Sequence, residues 1–214
     1  NHEVVVSGFA KGVDRTALDS ALEAYGRSII VLPQGILTFT SGYKNYYTQL
    51  VDGDILIVST YHPKVPWSIG LAMGRNKYIY GLANKIFIAE SDEKGGTWSG
   101  AIEGLKKGWD LYVRLAEIEE KNANNTLILK GAKIVDEEGQ VIDNQVLSDF
   151  EDKLKAMLDT PQTAEELIEK FDPSINIDYL RKLISILPSI KKILDGDLEK
   201  YIIKPNPKSQ TNLF

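Results

Sequence analysis

The chain has 214 residues, 43% of them hydrophobic and 26% charged, with a formal net charge of −5, which is the composition of an ordinary globular protein with one large domain or a medium domain plus a small one. Nucleic-acid binding through the whole surface would call for a basic chain, so any such site is a local patch. There is no cysteine, which excludes disulfides, thiolate chemistry and Cys-ligated zinc; two histidines are too few for a His-rich metal site, and no apolar run approaches the roughly 20 residues of a bilayer span.

From Glu3 to Arg114 the pattern alternates. Short β-rich runs stand at Val4–Val6, Ser28–Leu32, Ile55–Ser59, Ile86–Ala89 and Leu111–Val113, with helical patterns between them at Arg15–Tyr25, Lys44–Val51, Ser68–Leu82 and Ser99–Lys107. This alternation predicts an α/β domain with a mostly parallel, Rossmann-like sheet and helices on both faces. Ligands of such sheets bind beyond the carboxyl ends of the strands, where Ser7-Gly8, Ser59-Thr60 and Glu90-Ser91 fall.

Residues Glu117–Gln145 break the rhythm. Asn122–Asn125 is turn-rich, Thr126–Leu129 and Ala132–Val135 read as short strands, and Glu138-Gly139 reads as a turn before Val141-Ile142. The expectation is a connector with a small β ribbon. Helical patterns follow, the first opened by a capping box at Ser148–Glu151 and running through Leu158, the second opened by another at Thr163–Glu166 and covering Ala164–Phe171. A third helix spans about Ile177 to Leu187. Asp195-Gly196 between apolar runs is a hairpin signal, so three helices and a hairpin predict a winged helix-turn-helix. The predicted domains are 1–116, 117–147 and 148–204, with a polar, proline-bearing tail at 205–214 expected to be disordered.

The chemistry concentrates between Gly74 and Gly104. Arg75-Asn76-Lys77 lies in a helical run, a short apolar strand follows, and Lys94-Gly95-Gly96-Thr97 opens the next helix. Glycine turns at helix N-termini offer unpaired N–H groups and the positive end of the dipole, which suits an anion; with Ser91–Lys94 polar, a flexible connection is the equal alternative. Gly8 and Gly12, bracketing Lys11 between strand and helix, admit the same reading, or that of a simple turn requiring positive φ. Asp14 reads as a helix cap. Arg75 and Lys77 read as phosphate contacts or as a solvated charged surface. Tyr43, Tyr46 and Tyr47 with Lys44 could stack unpaired bases, or could pack an amphipathic helix on the sheet. Trp98 reads as a base-stacking platform or, more simply, a core aromatic, and Trp67 as a structural one. The third helix of the C-terminal part has Arg181 and Lys182 as its only cations, near Glu165, Glu166 and Glu169, so weak duplex binding and a protein-interaction role are expected.

Several of these motifs, in order, resemble a known family. Val5-Val6-Ser7-Gly8-Phe9-Ala10-Lys11-Gly12-Val13-Asp14 is similar to VSGLARGID, Gly26–Leu32 to GRTIAVL, Arg75–Ala83 to RNRIIAGLS, and the segment at Gly95-Gly96-Thr97 to SGSLITA. These are motifs of the DNA-processing protein A (DprA/Smf) family, and the resemblance covers Val4–Arg114. It implies a Rossmann-like fold, single-stranded DNA binding, protection of incoming DNA in natural transformation, loading of the recombinase RecA, a homodimer, and no catalysis, cofactor or membrane. The residue pattern and the resemblance together mark Gly8, Lys11, Gly12, Arg75, Asn76, Lys77, Lys94, Gly95, Gly96 and Thr97 for DNA. There are departures. Leu18 replaces the histidine after GIDxxA, Thr60 replaces the acid of the SE pair, and Lys77 replaces the second arginine of RNR, losing its planar fork. The family's opening strand, central in its sheet, has no counterpart here, which implies either a fragment or a sheet completed by something else.

Two other functions compete. Gly95-Gly96-Thr97 with Glu103 is loosely similar to the PGGxGTxxE motif of nucleotide phosphoribohydrolases, so a nucleotide-hydrolysing protein or a nucleotide sensor of a defence system is an alternative. An adaptor that has lost its ligand site is the third. The default location is the cytoplasm, with no signal peptide visible at Asn1.

Overall fold

The computed structural model describes residues 3–205; the predicted disordered tail lies almost wholly outside them. They pack into two compact units, one comprising Asn1–Ile86 and Lys94–Trp109, the other Phe87–Glu93 with the remainder of the chain.

In the first unit, β1 (Val4–Ser7), β2 (Arg27–Val31) and β3 (Ile55–Val58) form a parallel sheet in that order, with Val4 opposite Arg27 and Ser28 opposite Ile55. Parallel neighbours need crossovers. Helix α1 (Val13–Glu23) supplies the first, and packs on β1 and β2. A 3-10 turn at Ile36–Thr38 and two short helices, α2 (Thr40–Asn45) and α3 (Tyr47–Val51), supply the second; the single predicted helix over Lys44–Val51 is broken at Tyr46. Helix α4 (Ile69–Leu82) is capped by the Ser68 hydroxyl on the Leu71 N–H and packs against β1, β2 and α5 (Gly95–Lys106). Leu18, Ile30, Leu32, Phe39 and Ile55 are the buried core, with Phe9, Tyr43 and Tyr46 packed around them.

In the second sheet the order is β4 (Ile86–Ile88), β5 (Leu111–Arg114), β6 (Lys133–Val135), β7 (Val141–Ile142). Strand β6 runs parallel to β5 and antiparallel to β7, so the expected ribbon is an extension of the sheet and not a free-standing hairpin. One strand prediction fails. Thr126–Leu129 belongs to a helix, α6 (Asn124–Leu129). A four-residue apolar run has no periodicity to separate strand from helix, and the helix is set by Asn124, which is fully buried. Its Oδ1 accepts the Ser91 N–H (3.0 Å), and its Nδ2 donates to the carbonyls of Ala89 (2.9 Å) and Arg114 (3.0 Å).

Beyond it come α7 (Asn144–Met157), α8 (Ala164–Phe171), α9 (Ile177–Ser185) and the hairpin β8 (Ile190–Asp195) with β9 (Leu198–Ile203), three helices and a hairpin as the sequence predicts. Helix α7 begins earlier than expected, because Asp143 caps it through the Gln145 N–H and Ser148 lies inside it. The capping box at Thr163 and Glu166 forms on both arms. Leu154, Leu167 and Leu180 are fully buried, and Phe150 meets Phe171 edge-on at 5.2 Å between centroids. Among the described residues no helix is long and apolar enough to cross a membrane.

Candidate functional site

The site is built on α4. Two consecutive residues of this helix meet the two glycine turns singled out in the sequence. Arg75 lies against Gly8, so closely that a Cβ at Gly8 would land inside the guanidinium; Asn76 lies against Gly96, where a Cβ would stand 2.8 Å from Nδ2. Any side chain at Gly8 would push the turn away from the buried Arg75, whereas at Gly96 the half-buried Asn76 amide would have to swing aside. The β1–α1 turn and the start of α5 are thereby gathered on one helix, at the carboxyl end of β1.

Arg75 is not the solvated cation that its type suggests. It is 6% exposed, its Nη1 donates to the Val31 carbonyl (2.5 Å), and its Nε is buried without a partner. Burial pushes its pKa down from the ordinary guanidinium value, opposed by the charge of Asp14. Arginine stays charged under any ordinary condition, so a cation sits beneath the turn without an ion pair among the described residues. Tyr80, raised by burial, packs beside Trp109 at 5.9 Å between ring centroids.

The β1–α1 turn differs from the open amide cradle that the sequence allows. Its Gly8 and Ala10 N–H groups both donate to Asp14 Oδ2, each at 3.1 Å. Asp14 therefore braces the turn, and the cap position of α1 is Gly12, at φ +95° and without a side-chain bond. Phe9 within the turn has φ +62°, a rare conformation for a bulky residue. Its ring compensates by packing edge-on against Phe39 (5.0 Å) and Tyr46 (5.6 Å), with the Arg15 guanidinium over its face.

The start of α5 is open by contrast. Gly95 turns the chain at φ +91°, the cap residue Lys94 makes no side-chain bond to the helix, and the first-turn amides of Gly96 and Thr97 have no capping side chain among the described residues. Such an end carries roughly half a positive charge. Lys11, Lys77 and Lys94 are exposed, and none makes an ion pair among the described residues. The Lys77 ammonium lies 5.0 Å from the Tyr78 ring centroid. Glu103, the acid of the hydrolase-like motif, is on the exposed side of α5 and held below the usual carboxylate range by Lys107.

The tyrosine cluster divides. Tyr43 packs on Phe39 and donates to the Ile36 carbonyl, and Tyr46 packs on Phe9 and donates to Asp19 (2.6 Å), so both rings belong to the core and not to a stacking platform. Only Tyr47, 68% exposed, is free to meet a base. The cause is the break at Tyr46, which turns the following residue outward. Burial and the Asp19 hydrogen bond push Tyr46 up to about 12 from its usual 10. A raised folded-state value stabilises the fold below pH 10, and that contribution is lost as the pH climbs through about 12. In an absorbance titration, Tyr46→Phe is expected to remove one ionisation near pH 12 and to flatten the loss of stability above pH 10.

In the second unit, α9 carries no free cation among the described residues. Arg181 pairs with Glu165 (3.3 Å) and Asp178 (3.7 Å), and Lys182, 8% exposed, sits between Glu117 (2.6 Å) and Glu137. The groove beside it, about 890 Å3, is walled by Glu117, Glu119, Asp136, Glu137, Glu138 and Asp178. A DNA phosphate would meet carboxylates there.

The family model of DNA recombination-mediator protein A matches residues 1–145, over two-thirds of the chain. This chain belongs to the DNA-processing protein A (DprA/Smf) family. It is 30% identical to the DNA processing protein DprA of Streptococcus pneumoniae over 154 residues, 71% of this chain and 52% of that protein, and 27% identical to protein Smf of Escherichia coli over 143 residues, 65% and 38% respectively. It spans about half or less of the length of the curated relatives it matches. The crystal structure of S. pneumoniae DprA covers 62% of this chain, and is itself covered over 47%, at 28% identity with a TM-score of 0.53. DprA of Helicobacter pylori, described for its single-stranded DNA binding mode, covers 61% and is covered over 60%, at 28% identity with a TM-score of 0.52. The matched span takes in both glycine turns and the whole of α4, so the site built above lies within the part that defines the family.

Proposed function

We propose that this DprA/Smf chain is a non-enzymatic, cytoplasmic binder of single-stranded DNA that works in natural transformation and recombination, protecting the strand and helping to load a RecA-type recombinase. The observation that carries the reading is the uncapped start of α5, with the Asn76 amide at Gly96, the exposed Lys94 at its cap position and the exposed Lys77 next to Asn76 in the chain, neither lysine in an ion pair among the described residues. Backbone phosphate accepts the Gly96 and Thr97 amides, and the two ammonium groups supply charge-assisted bonds. Such contacts hold a strand without reading its sequence. Exposed Tyr47, and Tyr78 beside Lys77, offer faces on which unpaired bases stack. The H. pylori relative's single-stranded DNA binding supports the choice of ligand. A homodimer is supported by the apolar residues that α4 leaves exposed, Ile69, Met73 and Leu82.

Oligo-dT binding measured at two salt concentrations tests the reading. Affinity should fall steeply with salt, because each neutralised phosphate releases counterions. Absent affinity, or affinity indifferent to salt, overturns it.

A further inference from the structure

The β1–α1 turn and the α5 N-terminus are both built like anion seats, yet among the described residues a carboxylate occupies the first and no side chain caps the second. We infer that Asp14 is an internal anion that fills the seat of the β1–α1 turn and so directs ligand phosphate to the α5 N-terminus. The inference rests on the DNA-binding reading for its ligand, but its geometry stands independently.

Asp14 Oδ2 accepts N–H groups from Gly8 and Ala10, two residues apart in a strand-to-helix turn, each at 3.1 Å. That is the pair of donors which a phosphate oxygen would take at such a turn. The same carboxylate stands in the first turn of α1, whose cap residue Gly12 has no side chain, so it also answers the dipole of that helix. Ser7 Oγ donates to the Asp14 carbonyl (3.3 Å), tying the residue back to β1. Beneath the turn lies the Arg75 guanidinium, buried and without an ion pair among the described residues. A ligand phosphate entering this turn would compete with Asp14 for both amides and meet its like charge. At α5 no carboxylate among the described residues takes the first-turn amides, and Asn76, the neighbour of Arg75 in sequence, adds a side-chain amide at Gly96. Asp14 is thus a positioning residue: it chooses between two adjacent seats.

Assigned amide NMR reads the choice directly. Oligo-dT added to the wild-type protein is expected to move the Gly96 and Thr97 resonances and leave Gly8 and Ala10 in place; inorganic phosphate should likewise spare Gly8 and Ala10. Wild-type shifts at Gly8 and Ala10 as large as those at Gly96 overturn the inference. In Asp14→Asn, which keeps an acceptor oxygen and loses the charge, and in Asp14→Ala, which empties the seat, inorganic phosphate should now move Gly8 and Ala10, binding there at least roughly tenfold tighter than in wild type. A purely structural role would lower the melting temperature of both variants and leave the response of Gly8 and Ala10 to phosphate as it is in wild type, which sinks the proposal. If oligo-dT moves no amide anywhere, the DNA reading fails, while the phosphate titrations still decide the role of Asp14.

Discussion

Gly8→Ala is expected to melt more than about 10 °C below the wild type and to lose oligo-dT binding with the fold of the site. The new methyl would occupy the place of the Arg75 guanidinium. Arg75 cannot step aside cheaply, because it is 6% exposed, bonded to the Val31 carbonyl and flanked by packed helix. Either the turn lifts off α4, breaking the Gly8 and Ala10 bonds to Asp14, or a charged side chain is forced into the sheet. Overpacking of this kind costs about 3 kcal/mol, and in a unit of roughly 100 residues each kcal/mol moves the midpoint by roughly 4–8 °C. Gly12→Ala is the control. There a Cβ meets open space and only the positive φ is penalised, at about 1 kcal/mol. Thermal melts of the two variants should separate clearly; a Gly8→Ala protein as stable as Gly12→Ala would show that the close approach to Arg75 is not a constraint.

Lys77→Glu combined with Lys94→Glu is expected to abolish most oligo-dT binding at low salt while leaving the melting temperature near wild type. Both residues are exposed and unpaired among the described residues, so reversing them breaks no ion pair and removes only the exposed contact of Lys77 with the Tyr78 ring. If each lysine neutralises one phosphate, the slope of log affinity against log salt should become shallower by about 1.4 for single-stranded DNA. Fluorescence anisotropy at several salt concentrations reads both numbers at once. Unchanged affinity in the folded double variant would move the binding surface away from α5.

The contrast between Arg75 and Lys77 shows where sequence reasoning runs out. Both stand in one motif, whose sequence alone offers phosphate contact or a solvated surface for the two alike. Residues two apart on a helix point in different directions, and α4 turns Arg75 under the Gly8 turn while Lys77 faces solvent. The tyrosines repeat the lesson: Tyr46 and Tyr47 are neighbours, yet one is hydrogen-bonded in the core and the other is exposed, because the helix breaks between them. Asp14 was legible as an acid in a helix's first turn; that it reaches back to Gly8 and Ala10 was not, since the positive φ of Phe9 and Gly12 that folds the turn onto it has no unambiguous sequence signature. Asn124 was visible only as one asparagine of a turn-rich stretch, and its three bonds to backbone on other segments come from contacts far apart in sequence.

The alternation of β-rich runs and helices, the ordered glycine and Arg-Asn-Lys motifs, and the Thr163 capping box lie in the order of residues, because periodicity, turn chemistry and caps are local and each residue's neighbours in the chain suffice to set them. Which cations face solvent, which amides are already taken, and which of two similar turns stays open were decided by packing. Those outcomes depend on what one segment meets when it reaches another, and here α4 is the segment that both turns meet.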